Sequence, residues 1–238
     1  MTHVVLVHGG WHGPWCWADQ IAALERRGHR ATAVTLPSDE LDAGADRYAD
    51  VIAAAVREPG RDVVVGHSLA GLAIPLVPER VPVAALVFLA ALLPDPGRSW
   101  KQQLGAGRPM AEWFYTEALP KQGRDEHGRS VWPVDVAAEL FYHDCVPSTA
   151  EWAAAQLRPQ SPAPIAETTP LTTYPDVPMH YVGCRADRAV SAAWAAETAR
   201  ARLGREPTWI DGSHSPFLAD PDGLAEVLLT TVTEQEDR

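Results

Sequence analysis

A chain of 238 residues that is 46% hydrophobic and 21% charged buries a large core, which excludes disorder and suits one α/β domain. Its formal net charge of -11 argues against a basic groove that tracks phosphates, so neither nucleic acid nor an anionic membrane is expected as a partner. Cys16, Cys145 and Cys184 show no C-x-x-C or zinc spacing and are odd in number, the chain opens straight into a strand, and the apolar run 81–93 is too short to span a bilayer, so a reducing cytoplasm is expected.

In chain order, short β-rich runs alternate with helix-period runs, the pattern of a mainly parallel sheet with helices on both faces. Strands are predicted over 3–7, 32–36, 62–65 and 83–90, with helices over 15–27, closed by Gly28, and 48–58, ended by Pro59-Gly60. A helix should follow Ser68, but Pro75 and Pro78 fall inside it and should kink or shorten it. From 94 to about 176 the alternation stops and aromatic residues accumulate, which reads as a cap inserted over the sheet between core segments 1–93 and 177–238. Within it, Ser148-Thr149-Ala150-Glu151 has the spacing of a capping box, and Pro159, Pro162, Pro164 and Pro170 suggest an extended return. Alternation resumes with a strand at 179–182, a helix over 192–203 ended by Gly204, a strand at 208–210 and a last helix starting at Asp220-Pro221.

Gly66-His67-Ser68-Leu69-Ala70-Gly71 contains G-x-S-x-G directly after a strand. In that context the serine sits on a sharp strand-to-helix turn, its hydroxyl projecting from the carboxyl edge of the sheet toward the amides of the next turn. A serine hydroxyl needs a base, and the chain order serine, acid, histidine narrows the choice. His127 and His143 fall in the cap and His180 inside a strand, whereas His214 follows a strand and a short loop. Asp187, just past the strand at 179–182, is the favoured acid, with Asp211 as its competitor because it too follows a strand. An oxyanion hole would take one donor from the Leu69 amide and a second from the loop His8-Gly9-Gly10-Trp11, with Gly10 as the choice.

Together with Gly13-Pro14-Trp15-Cys16-Trp17, Cys184-Arg185-Ala186-Asp187 and Gly212-Ser213-His214, these segments resemble the α/β-hydrolase branch that holds plant methylesterases, hydroxynitrile lyases and their bacterial esterase relatives. The resemblance covers almost all of the core and is looser in the cap. It implies the α/β-hydrolase fold, a triad of Ser68, Asp187 and His214, backbone donors at Gly10 and Leu69, a small cap over a mostly apolar pocket, and a homodimer. Lyases of that branch carry threonine after the first-loop histidine and lysine after the catalytic histidine; Gly9 and Ser215 stand here, which favours hydrolysis.

The expected activity is therefore cofactor-free, metal-free cleavage of a small apolar ester (methyl ester, aryl ester or lactone). Acyl transfer or thioester cleavage by the same triad is the alternative, and cyanohydrin cleavage or a receptor that does not turn over ranks below both. Trp11, Trp132 and Phe141 are the candidate substrate wall, though packing of the cap accounts for most of the nine tryptophans. His67 either touches substrate or packs under the turn. His143-Asp144 lacks a third metal ligand at suitable spacing.

Overall fold

Every residue of the strands around residues 5, 65 and 87 is apolar or buried, so each strand needs cover on both sides, and the fold supplies it. The computed structural model describes residues 1–233, which leaves the last five positions of the expected core outside the description. Strand β1 (His3–Val7) leads through a 3-10 turn (Pro14–Trp17) into α1 (Ala18–Arg26), followed by β2 (Arg30–Val34), α2 (Ala45–Ala53), β3 (Val63–His67) and β4 (Ala85–Leu89). Then come α3 (Trp100–Ala106), a π-helical turn (Phe114–Ala118), the small hairpin β5 (Gly123–Arg124) and β6 (Ser130–Val131), α4 (Val134–Phe141), α5 (Pro147–Ala155) and α6 (Ala163–Ala166). Strand β7 (Met179–Cys184), α7 (Ala192–Leu203), β8 (Thr208–Ile210), α8 (Pro216–Ala219) and α9 (Pro221–Thr233) complete the described residues.

Six strands form one sheet in the order β2-β1-β3-β4-β7-β8, and every neighbouring pair is parallel. The two-residue period of a strand divides their side chains cleanly. Val5, Val7, Val64, Leu86 and Phe88 face α2, α7 and the turns after Ser68. Val4, Leu6, Val63, Val65, Val87 and Leu89 face α1, α8 and α9. A third apolar cluster, built on Phe114, Trp132, Leu140, Phe141 and Tyr142, belongs to the inserted segment.

Several local expectations are corrected. The segment after Ser68 is not one helix but two 3-10 turns, Ser68–Leu72 and Ile74–Glu79, because neither Pro75 nor Pro78 has an N–H to sustain an α-helical ladder. Strand β2 ends two residues early: the Leu36 N–H leaves the sheet to donate to His8 Nε2 (3.1 Å), and Pro37 has none to give. Ser148 does not cap α5, since Pro147 occupies the first turn and the helix starts before the serine. The capping box of the inserted segment lies at Ser99 and Gln102 instead, each side chain accepting the other's backbone N–H. The proline-rich return is broken by the single turn of α6. Helix α2 begins three residues earlier than expected because Glu167, from that return, reaches across to accept the Ala45 N–H at 2.6 Å. Gly44 gives this carboxylate room, since a side chain there would run into it.

Candidate active site

At the end of β3 the chain turns so sharply that Ser68 takes φ +53°, a left-handed backbone that only surrounding constraint keeps in a non-glycine residue. The two glycines of the motif supply that constraint by letting neighbours close in. A Cβ on Gly66 would lie 2.7 Å from Ile74 Cγ2, and one on Gly71 would lie 2.9 Å from Ala91 Cβ and inside the Leu92 carbonyl. The Leu92 N–H donates to Ser68 O (2.9 Å), pinning the turn from behind. Leu69 is the second residue of a 3-10 turn, so its N–H has no partner within the turn.

His214 and Asp187 meet. The loops after β7 and β8 bring His214 Nδ1 within 2.8 Å of Asp187 Oδ2, with side-chain exposures of 1% and 2%. Asp187 Oδ1 accepts the Ala189 and Val190 amides (2.7 and 3.0 Å), which leaves the carboxylate one orientation. The competitor Asp211 is 97% exposed and faces Arg185 at 3.5 Å.

His67 joins this pair to the serine turn. Its Nε2–H donates to the His214 carbonyl (2.9 Å), and its ring lies 4.6 Å from that of His214 and 4.9 Å from Phe217. It is wholly buried, so the residue next to Ser68 packs its ring against His214 and Phe217 and is closed to solvent. Burial, with further lowering by the neighbouring His214, holds its pKa well below the histidine range.

The loop after β1 faces Ser68 from the other side. A Cβ on Gly9 would be 2.8 Å from Ser68 Cβ and from His67 Nδ1, and one on Gly10 would be 3.4 Å from Leu69 Cδ2. Two buried histidines orient the loop's peptides. His8 Nδ1–H donates to Gly9 O (2.9 Å) and His12 Nδ1–H to Gly10 O (2.8 Å). In a trans peptide the N–H opposes the C=O, so holding Gly9 O on one side turns the Gly10 N–H to the other. By the same geometry the Trp11 N–H points away from Gly10 O and donates to Gln160 Oε1 (3.4 Å), with Trp11 itself at φ +63°. Burial drives the pKa of His8 down to about 4 and that of His12 to about 3, so both are neutral near pH 7.

Trp11, Trp132 and Phe141 form one aromatic wall, with ring centroids 5.4 Å apart for Trp11 and Trp132 and 5.9 Å for Trp11 and Phe141. Phe141 in turn lies 5.6 Å from the His214 ring. Trp11 Nε1–H is held by Ser130 (3.0 Å to Oγ). Sequence reasoning missed His12, Tyr142 and Gln160, which brace this region. Tyr142 OH donates to His12 Nε2 (2.7 Å), while the Gln160 side-chain amide donates to Tyr48 OH and Ser161 O, fixing its oxygen toward Trp11. The signal available for His12 was its reach back over two residues to a carbonyl; the other two act over separations of more than 100 residues and leave no local pattern. Among the described residues no group of three or more His, Cys, Asp or Glu is placed to hold a metal ion, and no helix is long and apolar enough to cross a membrane.

Comparison with known proteins agrees with this architecture. Methylesterase 1 of Arabidopsis thaliana is 28% identical over 252 residues, covering 95% of this chain and 94% of the relative. Norfluorocurarine synthase 2 of Strychnos sp is 29% identical over 260 residues, with 98% and 96% covered. Among solved structures, polyneuridine aldehyde esterase superposes with a TM-score of 0.79 at 21% identity, covering 97% of this chain and 98% of the other. Residues 4–227 match the alpha/beta hydrolase family, and the chain belongs to it.

Proposed function

We propose that the protein is a cofactor-free serine esterase acting on a small apolar carboxylic ester through an acyl-enzyme on Ser68. The observation that carries this reading is the buried 2.8 Å pair of His214 and Asp187, tied by His67 to the strained turn that presents Ser68. In this mechanism Ser68 Oγ attacks the ester carbonyl while His214 takes its proton. Asp187 holds the imidazole tautomer and stabilises the imidazolium. The Gly10 and Leu69 amides donate to the tetrahedral oxyanion. The oxyanion collapses, His214 gives its proton to the leaving alcohol, and the acyl group stays on Ser68. Water, deprotonated by His214, attacks the acyl carbonyl; a second collapse frees the acid and returns the proton to Ser68.

Kinship to esterases and methylesterases supports the ester class, and the wall of Trp11, Trp132 and Phe141 supports an apolar acyl or alkoxy group. Hydrolysis is preferred to cyanohydrin cleavage on steric grounds too: a threonine in place of Gly9 would collide with Ser68 Cβ and His67 Nδ1. Acyl transfer or thioester cleavage uses the same acyl-enzyme and is the second reading. Exclusive hydrolysis in the presence of a panel of alcohols and thiols removes it. The same reading has the protein in the cytoplasm as a homodimer, and sedimentation at the mass of one chain withdraws the dimer.

The direct test is labelling by a fluorophosphonate probe together with turnover of short aryl, methyl and lactone esters. Ser68→Ala should abolish labelling and lower kcat by about 10^6-fold. Equal labelling of the two proteins defeats the proposal.

A further inference from the structure

We propose that Asp144, in the turn after α4, is a positioning residue for His214, gripping the base's loop from the cap; this rests on the triad reading above. A catalytic imidazole must be fixed twice, in its ring and in the backbone that carries it. Asp187 does the first. The backbone between β8 and α8 is Asp211-Gly212-Ser213-His214-Ser215, and Gly212 sits at φ +120°, so this loop has no regular structure of its own to hold it.

Groups from outside hold it: the Ala186 N–H donates to Gly212 O (3.1 Å), His67 Nε2–H donates to His214 O (2.9 Å), and the turn after α4 grips the residue between them. Asp144 Oδ2 accepts the Ser213 N–H at 2.6 Å, one residue before the base. Gly212 permits this approach, since a Cβ there would lie 2.8 Å from the same oxygen. Ser213 Oγ–H donates to Phe141 O at 3.0 Å and accepts the Ser215 N–H at 3.3 Å, so both polar groups of a fully buried serine are engaged beside His214. The remaining ties of the same stretch run to the other loops of the site. Tyr142 OH donates to His12, which orients the Gly10 carbonyl, and Arg188, next to Asp187, donates to Glu139 Oε2 (2.6 Å) on α4. The stretch from Glu139 to Asp144 therefore touches the acid, base and oxyanion loops, with Phe141 and Asp144 as its contacts with the base loop and Asp144 as the one that holds a backbone N–H there. Asp144 is itself exposed and packs into no core, so its removal should leave the fold standing.

The test compares Asp144→Ala, Asp144→Asn and Ser68→Ala in p-nitrophenyl acetate hydrolysis and in the rate of fluorophosphonate labelling, both expressed per titrated active site. Asp144→Ala should lower kcat and the labelling rate about tenfold while KM stays within about twofold, the expected cost of a small misplacement of the base. Asp144→Asn keeps an oxygen that accepts the Ser213 N–H and should restore both rates to within about twofold of wild type. If alanine prevents folding, Asp144→Gln, whose longer arm misplaces the same acceptor, carries the same expectation. Wild-type rates in Asp144→Ala beside an inert Ser68→Ala overturn the inference and leave the triad standing. A drop confined to the number of titratable sites, or equal drops in Ala and Asn, also overturns it. Equal labelling of wild type and Ser68→Ala refutes the esterase reading itself.

Discussion

The sheet and the segment between β4 and β7 are both rich in apolar side chains, yet they are held by different means. In β1 and β4 successive residues go to opposite faces, Val4 and Leu6 one way, Val5 and Val7 the other, so a period of two decides where each side chain goes. Over the site no period governs. Its aromatic cluster draws Trp11 from the core, Trp132 from beyond β6 and Phe141 from α4, and single long-range hydrogen bonds set their places: Trp11 to Ser130 across 119 residues, Tyr142 to His12 across 130. A repeating pattern tolerates small changes and tells a reader where it is. A set of point contacts does neither.

That contrast yields outcomes in descending size. Gly71→Ala strikes the join of sheet and serine turn, where the new Cβ meets the Leu92 carbonyl and Ala91, and should cost more than about 4 kcal/mol in urea unfolding. Gly9→Ala should spare the fold more and the chemistry less. Its Cβ pushes the proposed oxyanion loop off Ser68, and kcat should fall about 10^2- to 10^3-fold, equivalent to about 2.7–4 kcal/mol; kcat unchanged in a folded Gly9→Ala would show the loop free to move without consequence.

Acid comes next. His8, His12 and His67 are buried with pKa values lowered by burial, so between about pH 6.5 and about pH 4 the unfolded chain binds protons that the folded one refuses. Their contribution is whole above about pH 6.5 and is lost as pH falls, by up to about 1.4 kcal/mol per pH unit for each histidine. Thermal melts should therefore drop steadily from about pH 7 to about pH 5, and a flat Tm over that range would contradict it. Smallest is Trp152→Ser on α5, where the side chain is 48% exposed and unfolding should shift by only about 0.5 kcal/mol; a larger shift would mean the T-shaped contact with Trp15 carries more of the cap than its exposure suggests.

How far the sequence could be read follows the same division. The order of strands, the serine turn after β3 and the separation of Asp187 from a solvent-facing Asp211 all rest on patterns confined to a few residues. Gly204 and Gly28 mark helix ends with φ +67° and +80°, and Asp220 caps α9 by accepting the Gly223 N–H at 2.9 Å, as their local sequences suggest. Where reading failed, a neighbouring proline had shifted the helix start, as Pro147 did for Ser148, or a distant group had replaced the local one. Leu36 left the sheet because His8 was waiting for its N–H, and α2 began early because Glu167 arrived from 122 residues away. Asp144, weighed with His143 only as a metal ligand pair, accepts the Ser213 N–H in the loop before His214. Such pairings carry no spacing rule, so the inserted segment stayed the least legible part.

The carboxylate that Glu167 lends to α2 has a bearing on anyone who would exchange lids between related enzymes. Helix α2 packs Tyr48, Ala49 and Ile52 into the sheet, yet its first free amide is satisfied by a side chain borrowed from the far end of the insertion. A chimera spliced at 94 and 176 would strip that amide of its acceptor and start a core helix fraying from its amino end, unless the donor lid brought an acid to the same point; a serine or aspartate at position 44 would cap the amide of Asp46 or Arg47 and leave that of Ala45 bare.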